Sequence, residues 1–564
     1  MKHRLFLLAT VAFLITTEVC RAQSDATRLE QVKQLYAAQK WEDLARVAQG
    51  TPGQPAELDY YRGMALARLE RWSEARDAFS RGASKAPADA RFLTERAGAE
   101  YKLDDYRAAK KDLQKALRLD PADSYILEFL GTIYLLEGNL EAALKYWNRL
   151  DKPRLASVLA VPATKTTKDL LNRAVTFAPP GTLDRSALLE TGARLENLDV
   201  FPQWRVELSP AEKDVYDAKL RLNERTGFGP TLLSGAVAFL SGVPYQTVYP
   251  SYYGMAGEAI NFASLLRWDS EKRRASATLE FPLFCEPSRR LRLFFDARDE
   301  NWNLTETFFA PATPVRFVNL QRFQGGAELH LVESGWWDWT AGVEAVSREF
   351  RGLTAPPPAS AAPFFTGGTG LDAWMNLHRR LLRRPERRFT IEGSGEVRGG
   401  RNYRTGLGGF GDVKGDVTAR WLPEARGDDY EFLTRLAGGH TFGDVPLDML
   451  YQLGVERDND LSMRGHAGTT DGQKGRAPLG RRYLLVNSEL YKTVYDRAFF
   501  RVQLGPFFDT GSIADPSRLF GSQKWLYDTG VVARIRVLGS VSVLLSYGRD
   551  LRDGKGTFYA TALH

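Results

Sequence analysis

From Gly229 to the C-terminus the chain is built from short segments in which apolar and polar residues alternate, and nowhere does it offer about 20 uninterrupted apolar residues. A period of two puts apolar side chains on one face of a strand and polar ones on the other. The clearest segment is 499–511, and others fall at 231–240, 259–268, 273–281, 291–297, 325–332, 336–346, 370–378, 389–397, 413–421, 430–441, 450–456, 483–491, 526–537, 541–547 and 557–562. About sixteen strands of spanning length predict a closed antiparallel barrel, because lipid cannot satisfy the backbone groups of an open sheet edge. Aromatic content of 12% and 50 glycines fit strands joined by tight turns. Tyr245 with Tyr249, Tyr252 with Tyr253, and Trp336, Trp337 and Trp339 sit near strand ends, where interface girdles occur; each cluster reads equally as core or loop packing. The Pro- and Ala-rich stretch 353–365 reads as an exposed loop.

Residues 1–22 carry a basic start, an apolar run from Leu5 to Ile15 and the small-residue end Cys20-Arg21-Ala22, the pattern of a secretory signal peptide with the mature chain beginning near Gln23. Lipid attachment at Cys20 is disfavoured by Glu18 and Val19. Cys285 then stands alone, so no disulfide framework is expected. A secreted chain of amphipathic strands points to the bacterial outer membrane. The net charge of +7 does not point to nucleic acid, since its Lys and Arg are scattered among acids; the densest run, 379–388, reads as a turn between strands.

Ahead of the strands, 25–152 is helical and repeats every 34 residues. Small residues recur at Gly63, Ala97 and Gly131 and at Ala75, Ala109 and Ala143; bulky ones recur at Trp72, Tyr106 and Leu140 and at Phe79, Leu113 and Trp147. Pro87 and Pro121 end successive units. This is the tetratricopeptide period, giving three units and a degenerate one around 41–48. It serves either as a concave surface for a peptide or partner protein or as a plain helical spacer.

Between repeats and strands, 153–226 reads as strand (155–161), helix (168–176), a Pro179-Pro180-Gly181 break, a helix from Asp184 through Leu188, Leu195 and Leu198, then strands 204–208 and 216–223. This order, with Leu198-Asp199-Val200-Phe201 after the second helix, resembles a polypeptide-transport-associated (POTRA) domain. Such a domain presents a strand edge that can pair with an extended chain.

In the last hundred residues a glycine-rich loop carries Met463-Arg464-Gly465-His466, and a later strand carries Phe507-Phe508-Asp509-Thr510-Gly511. A guanidinium inside a barrel needs a carboxylate, and Arg can hold one with two bonds. On residues alone Arg464 and Asp509 read better as two unrelated solvent-facing charges than as a pair. The two motifs resemble those of the bacterial surface antigen superfamily, the BamA- and TamA-like outer-membrane assembly and secretion proteins. There an apolar-Arg-Gly-aromatic loop folds into the lumen and meets an aromatic-x-Asp-x-Gly strand. The resemblance implies a lumen lock of Arg464, Gly465, Phe507, Asp509 and Gly511, and a weak seam between 231–240 and 557–562. It extends to the Leu538–Val541 turn and departs at His466, where the aromatic should stand, and at the Ala562-Leu563-His564 end.

No His-Glu-x-x-His helix, Gly-x-Ser-x-Gly elbow, phosphate-cradling loop or Cys pair is present, and carboxylate pairs such as Asp428-Asp429 fall in turns. No catalysis, cofactor or metal is expected. The sequence therefore predicts a multidomain chain: a signal peptide (1–22), a tetratricopeptide solenoid (25–152), a small α+β POTRA-like domain (153–226) and a transmembrane antiparallel β-barrel of about sixteen strands (229–564). As a non-enzymatic assembly or translocation factor, its partners would be outer-membrane lipid and a client polypeptide or periplasmic protein, with the N-terminal domains in the periplasm. A diffusion channel with adaptor repeats, or a receptor that uses the barrel as an anchor, remain the rivals. For the lock, a charge-swapped Arg464→Asp, Asp509→Arg pair is expected to do better than either single change.

Overall fold

The computed structural model describes residues 23–564 apart from 50–52, 213, 230, 310–313, 404–407, 498, 523, 538–540 and 564. The signal peptide reading of 1–22 and most of the Leu538–Val541 turn lie outside the described residues. The chain divides into two compact units, Met1–Lys152 and Pro153–His564.

The first unit holds α1 (23–37), α2 (Trp41–Val47), α3 (Ala56–Arg68), α4 (Trp72–Lys85), α5 (Ala90–Lys102), α6 (Tyr106–Leu119), α7 (Ser124–Leu136) and α8 (Leu140–Trp147). The repeat sets both packing and caps. Ala75, Ala97, Ala109 and Ala143 are fully buried, and Gly63 and Gly131 are buried with them. A Cβ on Gly63 would run into the Phe79 ring, and one on Gly131 into the Trp147 indole, so glycine lets each helix pair close around its aromatic residue. Asp89 and Asp123, one repeat apart, cap α5 and α7 by accepting backbone N–H bonds; Asp105 and Asn139 do the same for α6 and α8.

The second unit opens with β1 (Arg154–Val161), α9 (Lys168–Ala174), α10 (Arg185–Leu198), β2 (Gln203–Glu212) and β3 (Val215–Asn223). The sheet order is β1-β3-β2, with β1 parallel and β2 antiparallel to β3. Leu170, Leu171, Leu195, Leu198, Val200 and Phe201 pack on Leu220 and Leu222 to form the core. β2 is left at the edge of the sheet.

Next come α11 (Leu232–Leu240), β4 (Thr247–Val248), β5 (Ser251–Met255), β6 (Ile260–Trp268), β7 (Lys272–Pro282), β8 (Arg289–Asn303), β9 (Phe317–Ser334), β10 (Trp337–Arg351), β11 (Gly368–Arg384), β12 (Phe389–Asn402), β13 (Gly409–Trp421) and β14 (Tyr430–Gly443). A long connection with four two-residue strands, β15 (Tyr451–Gln452), β16 (Thr469–Thr470), β17 (Gln473–Lys474) and β18 (Leu479–Gly480), leads to β19 (Arg482–Arg497), β20 (Phe500–Ala514), β21 (Leu526–Val537), β22 (Val541–Asp550) and β23 (Gly556–Leu563). The long strands pair antiparallel in sequence order, β14 with β19, and the order returns on itself with β23 followed by β4 and β5. At this junction β23 is followed by β4, only two residues long, and then by the five-residue β5, so the barrel closes through its shortest strands and has its seam there.

The period of two reads directly into the wall. Along β11, Leu371, Met375 and Leu377 are exposed, while Asp372, Asn376 and His378 turn inward. Apolar outside and charged inside is the inverse of a water-soluble barrel, and it suits a hydrocarbon surround.

Two expected strands are not in the wall. Segment 231–240 is the helix α11, because Thr231 and Ser234 form a reciprocal capping box and the nine residues after Thr231 lack the polar alternation of a strand. The seam partner of β23 is therefore not 231–240; the short β4 and β5 take that place. Segment 450–456 lies inside the long connection, where Tyr451–Gln452 pairs with Leu479–Gly480 and Val455 bridges Ala467. The wall instead gains β5, whose alternation Gly254 and the turn after Met255 cut short.

The two ends of the barrel differ. Connections such as 335–336, 385–388 and 422–429 are short, whereas 304–316, 352–367, 444–481 and 515–525 are long. The long loops do not hang free: Leu304, Phe308, Phe364, Phe365, Leu447 and Phe520 bury one another in an apolar cap over that mouth. The small α/β domain meets the opposite, short-turn end. There Asn197 donates to the Pro287 carbonyl at 2.8 Å, Arg290 donates to the Asn197 carbonyl at 2.6 Å, and the Asn197 side chain meets His330 at 2.7 Å.

Candidate functional site: the lumen hairpin

Residues 444–481 fold back into the barrel instead of outward. Glycine makes this possible at two points of close approach. A Cβ on Gly465 would sit 2.6 Å from Asp528 Oδ1, and a Cβ on Gly548 of β22 would collide with the Arg464 carbonyl. The hairpin tip lies flat on the inner wall because neither surface carries a side chain there.

Arg464 is 4% exposed and Asp509 fully buried. Arg464 Nε donates to Asp509 Oδ2 at 2.9 Å and Nη2 to Oδ1 at 2.6 Å, a planar two-bond match. The Arg464 backbone N–H reaches the same carboxylate at 3.1 Å, and Nη1 pairs with Glu489 on β19. The Phe507 ring lies under the guanidinium, 3.8 Å from its carbon. Asn487 ties Asp509 Oδ1 to the Ser462 carbonyl with two 2.8 Å bonds, so wall and loop share one donor. A buried guanidinium thus faces two carboxylates and a ring, and its desolvation is offset on every side. Gly511 completes the motif: a Cβ there would lie 2.7 Å from the Leu484 carbonyl of the neighbouring strand.

All five expected lock residues are brought together, and the solvent-facing alternative does not describe them. The six repeat residues lie in the helical unit and serve its packing. The sequence left several partners unnamed. The Gly465 N–H donates to Asp528 Oδ2 on β21 at 2.6 Å, and His466 contacts the same oxygen through Nδ1 at 3.1 Å. His466 Nε2 lies 3.4 Å from Asp550 at the end of β22, and Thr557 of β23 donates to the Gly465 carbonyl at 2.8 Å. The tip therefore touches every strand from β19 to β23.

The base of the same hairpin grips the other side of the seam. Asp458 accepts from Arg267 of β6 at 2.8 Å and from Arg274 of β7 at 2.7 Å. Glu456 holds Lys272 at 2.8 Å, and Lys474 holds Glu300 of β8 at 2.7 Å. Arg457 donates to the Tyr245 carbonyl and covers its ring. Earlier in the connection, Asp448 binds Arg322 and Arg348 of β9 and β10, each at 2.9 Å. In sequence Glu456 reads as the end of a strand and nothing marks Arg457 or Asp458; their signal is an excess of inward Arg and Lys on β6 to β10 that their own strands leave short of acids.

Chemically, this arrangement holds a peptide segment at fixed depth in the lumen by charge and spans the wall's weakest junction. The Arg464 guanidinium and the Asp509 carboxylate have each of their charged atoms paired, which suits bracing.

No protein-family model matches the sequence, and no curated protein does either. Among solved structures, the chain is similar to BamA from Haemophilus ducreyi lacking POTRA domains 1–3, at 13% identity and a TM-score of 0.42 over 73% of this chain and 84% of that one. It is similar to CdiB from Escherichia coli at 14% identity and a TM-score of 0.46, over 73% of this chain and 75% of that one. Over 22% of its length the chain is similar to MamA 41-end from Desulfovibrio magneticus RS-1, at 18% identity and a TM-score of 0.22 over 73% of that chain. These likenesses concern fold alone.

Proposed function

We propose that this chain is an outer-membrane β-barrel of the insertion or secretion type, which receives a client polypeptide from its N-terminal domains and passes it at or through the barrel. One observation carries the reading: the hairpin is bound to β6, β7 and β8 on one side of the short-strand junction and to β19 through β23 on the other. A barrel that only conducts small solutes has no need of an internal brace across a seam. A barrel whose seam works against load does.

The asymmetry of the ends supports an orientation. Short turns beside the small domain and long loops at the other mouth match outer-membrane barrels with periplasmic turns and outward loops. The domain would then stand in the periplasm with the edge of β2 free to add an extended strand of client by backbone bonds, whatever its side chains. The repeats would collect the client or a carrier. The apolar cap over the outer mouth speaks against a permanently open diffusion channel.

The test is depletion of the chain followed by an inventory of outer-membrane and secreted proteins. Loss of a defined set of barrel or secreted proteins is expected. An unchanged inventory together with large single-channel conductance would overturn the reading in favour of a channel.

A further inference from the structure

Arg464 is fully used by Asp509 and Glu489. Beside it, Asp528 is completely buried, yet only its Oδ2 has partners, namely the Gly465 N–H and His466 Nδ1; Oδ1 has none. That oxygen lies against Gly465, 2.6 Å from where a Cβ would stand, and its neighbours Gly465, His466 and Asp550 line a cavity together with Asp553 and Thr557. Asp550 is also buried, and its second oxygen takes the Arg552 N–H at 2.8 Å. A nitrogen of His466 and one oxygen each from Asp528 and Asp550 lie within 4.8 Å of one another.

We infer that His466, Asp528 and Asp550 form a binding site for a divalent transition-metal ion of the zinc type. Imidazole with carboxylates is a zinc-class donor set, and tetrahedral zinc needs ligand atoms about 3.4 Å apart, reached here by small side-chain rotations. His466 and Asp550 border the cavity, which leaves the remaining coordination position to a solvent ligand. The unpartnered Asp528 oxygen is the decisive feature, because a buried carboxylate oxygen is ordinarily satisfied. The three ligands come from the hairpin, β21 and β22, so no local spacing in the sequence announces them. The ion would pin the tip to the last strands before the seam, alongside the Arg464 pair and independently of it. The site does not depend on the proposed function.

The test uses the full-length protein in detergent micelles, stripped with chelator and titrated with Zn2+ by calorimetry and elemental analysis. One Zn2+ per chain is expected, with affinity falling at least about ten-fold in Asp550→Asn and in His466→Phe. His466→Phe restores the aromatic of the motif the loop resembles, and folding of both variants is checked by unheated gel mobility. Should either variant fail to fold, Co2+ binding to the unaltered chain still decides: a visible band of low-symmetry cobalt with one nitrogen ligand is expected. Substoichiometric zinc, undiminished binding in folded variants, absence of the cobalt band, or equal affinity for Ca2+ would each overturn the assignment.

Discussion

Asp509→Asn keeps the volume of the side chain and removes its charge, leaving Arg464 buried against Glu489 alone. Breaking one partner of a buried pair exposes the other to an uncompensated desolvation cost, so about 3–5 kcal/mol of barrel stability should be lost. Urea midpoints read from the compact, unheated gel band would measure it. The charge swap expected from the sequence needs correcting: the carboxylate introduced by Arg464→Asp would face Glu489, and the Arg464 and Asn487 N–H donors that serve Asp509 would face an arginine. The swap should therefore rescue nothing in the same assay. The pair itself was legible because two motifs named it, whereas Glu489, Asn487 and Asp528 were not, since each is an ordinary inward polar residue until the hairpin lands on it. Another residue carries a pH signature in the helical unit. Glu100 is 7% exposed, and burial, with Asp112 beside it, raises its pKa to about 7. The folded state then binds more protons than the unfolded one between about pH 4.5 and 7, so stability is highest below that window and falls as pH rises through it. Glu100→Gln should stabilise the repeats at pH 8 by on the order of 2 kcal/mol and by nothing below about pH 4, followed by helical circular dichroism in urea.

At the scale of elements, periodicity was sufficient wherever one face of a strand met lipid and the other met charge, as in β11 and β20. It failed where that contrast vanished. The run Leu232-Leu233-Ser234-Gly235-Ala236-Val237-Ala238-Phe239-Leu240 carries no charge, and short apolar runs do not distinguish strand from helix. The deciding signal was Thr231 and Ser234, three apart, a cap that sequence inspection passed over. The helix that results leaves Leu232 84% exposed, with Leu233 and Leu240 also exposed, beside the seam strand β4. An uncharged helix with an open leucine face beside the wall is stable only if hydrocarbon covers it. Phe239→Trp, introduced with the other tryptophans as background, should therefore gain emission that lipids brominated in their acyl chains quench; a gain in emission that these lipids leave unquenched would place α11 in water. In the repeats the outcome was simpler, because a 34-residue step fixes packing and capping together: Gly63 and Gly131 meet their aromatic partners at corresponding positions.

Over the whole molecule, what the sequence withheld was the pairing of charges far apart in the chain. Asp458 finds Arg267 and Arg274 nearly two hundred residues upstream, and nothing local in either segment says so. Yet this contact decides how the barrel behaves as a unit, since the hairpin crosses the lumen only if both its base and its tip are held. Arg298 and Lys474 also lie 3.9 Å from Asp458, so one carboxylate sits among four cations. Asp458→Asn removes the charge that keeps those cations together, and their mutual repulsion should push the hairpin base off β6 to β8 while Arg464 keeps the tip on β20. The two ends of the brace would then respond differently in planar bilayers. The unaltered chain, with its lumen crossed by 444–481 and its long-loop mouth capped, should conduct weakly. Asp458→Asn should add frequent open events without unfolding the barrel, and Asp509→Asn should add open events of different size because it frees the tip instead of the base. Equal conductance in all three would mean that the hairpin does not set the lumen's width, and the brace across the seam would lose its mechanical role.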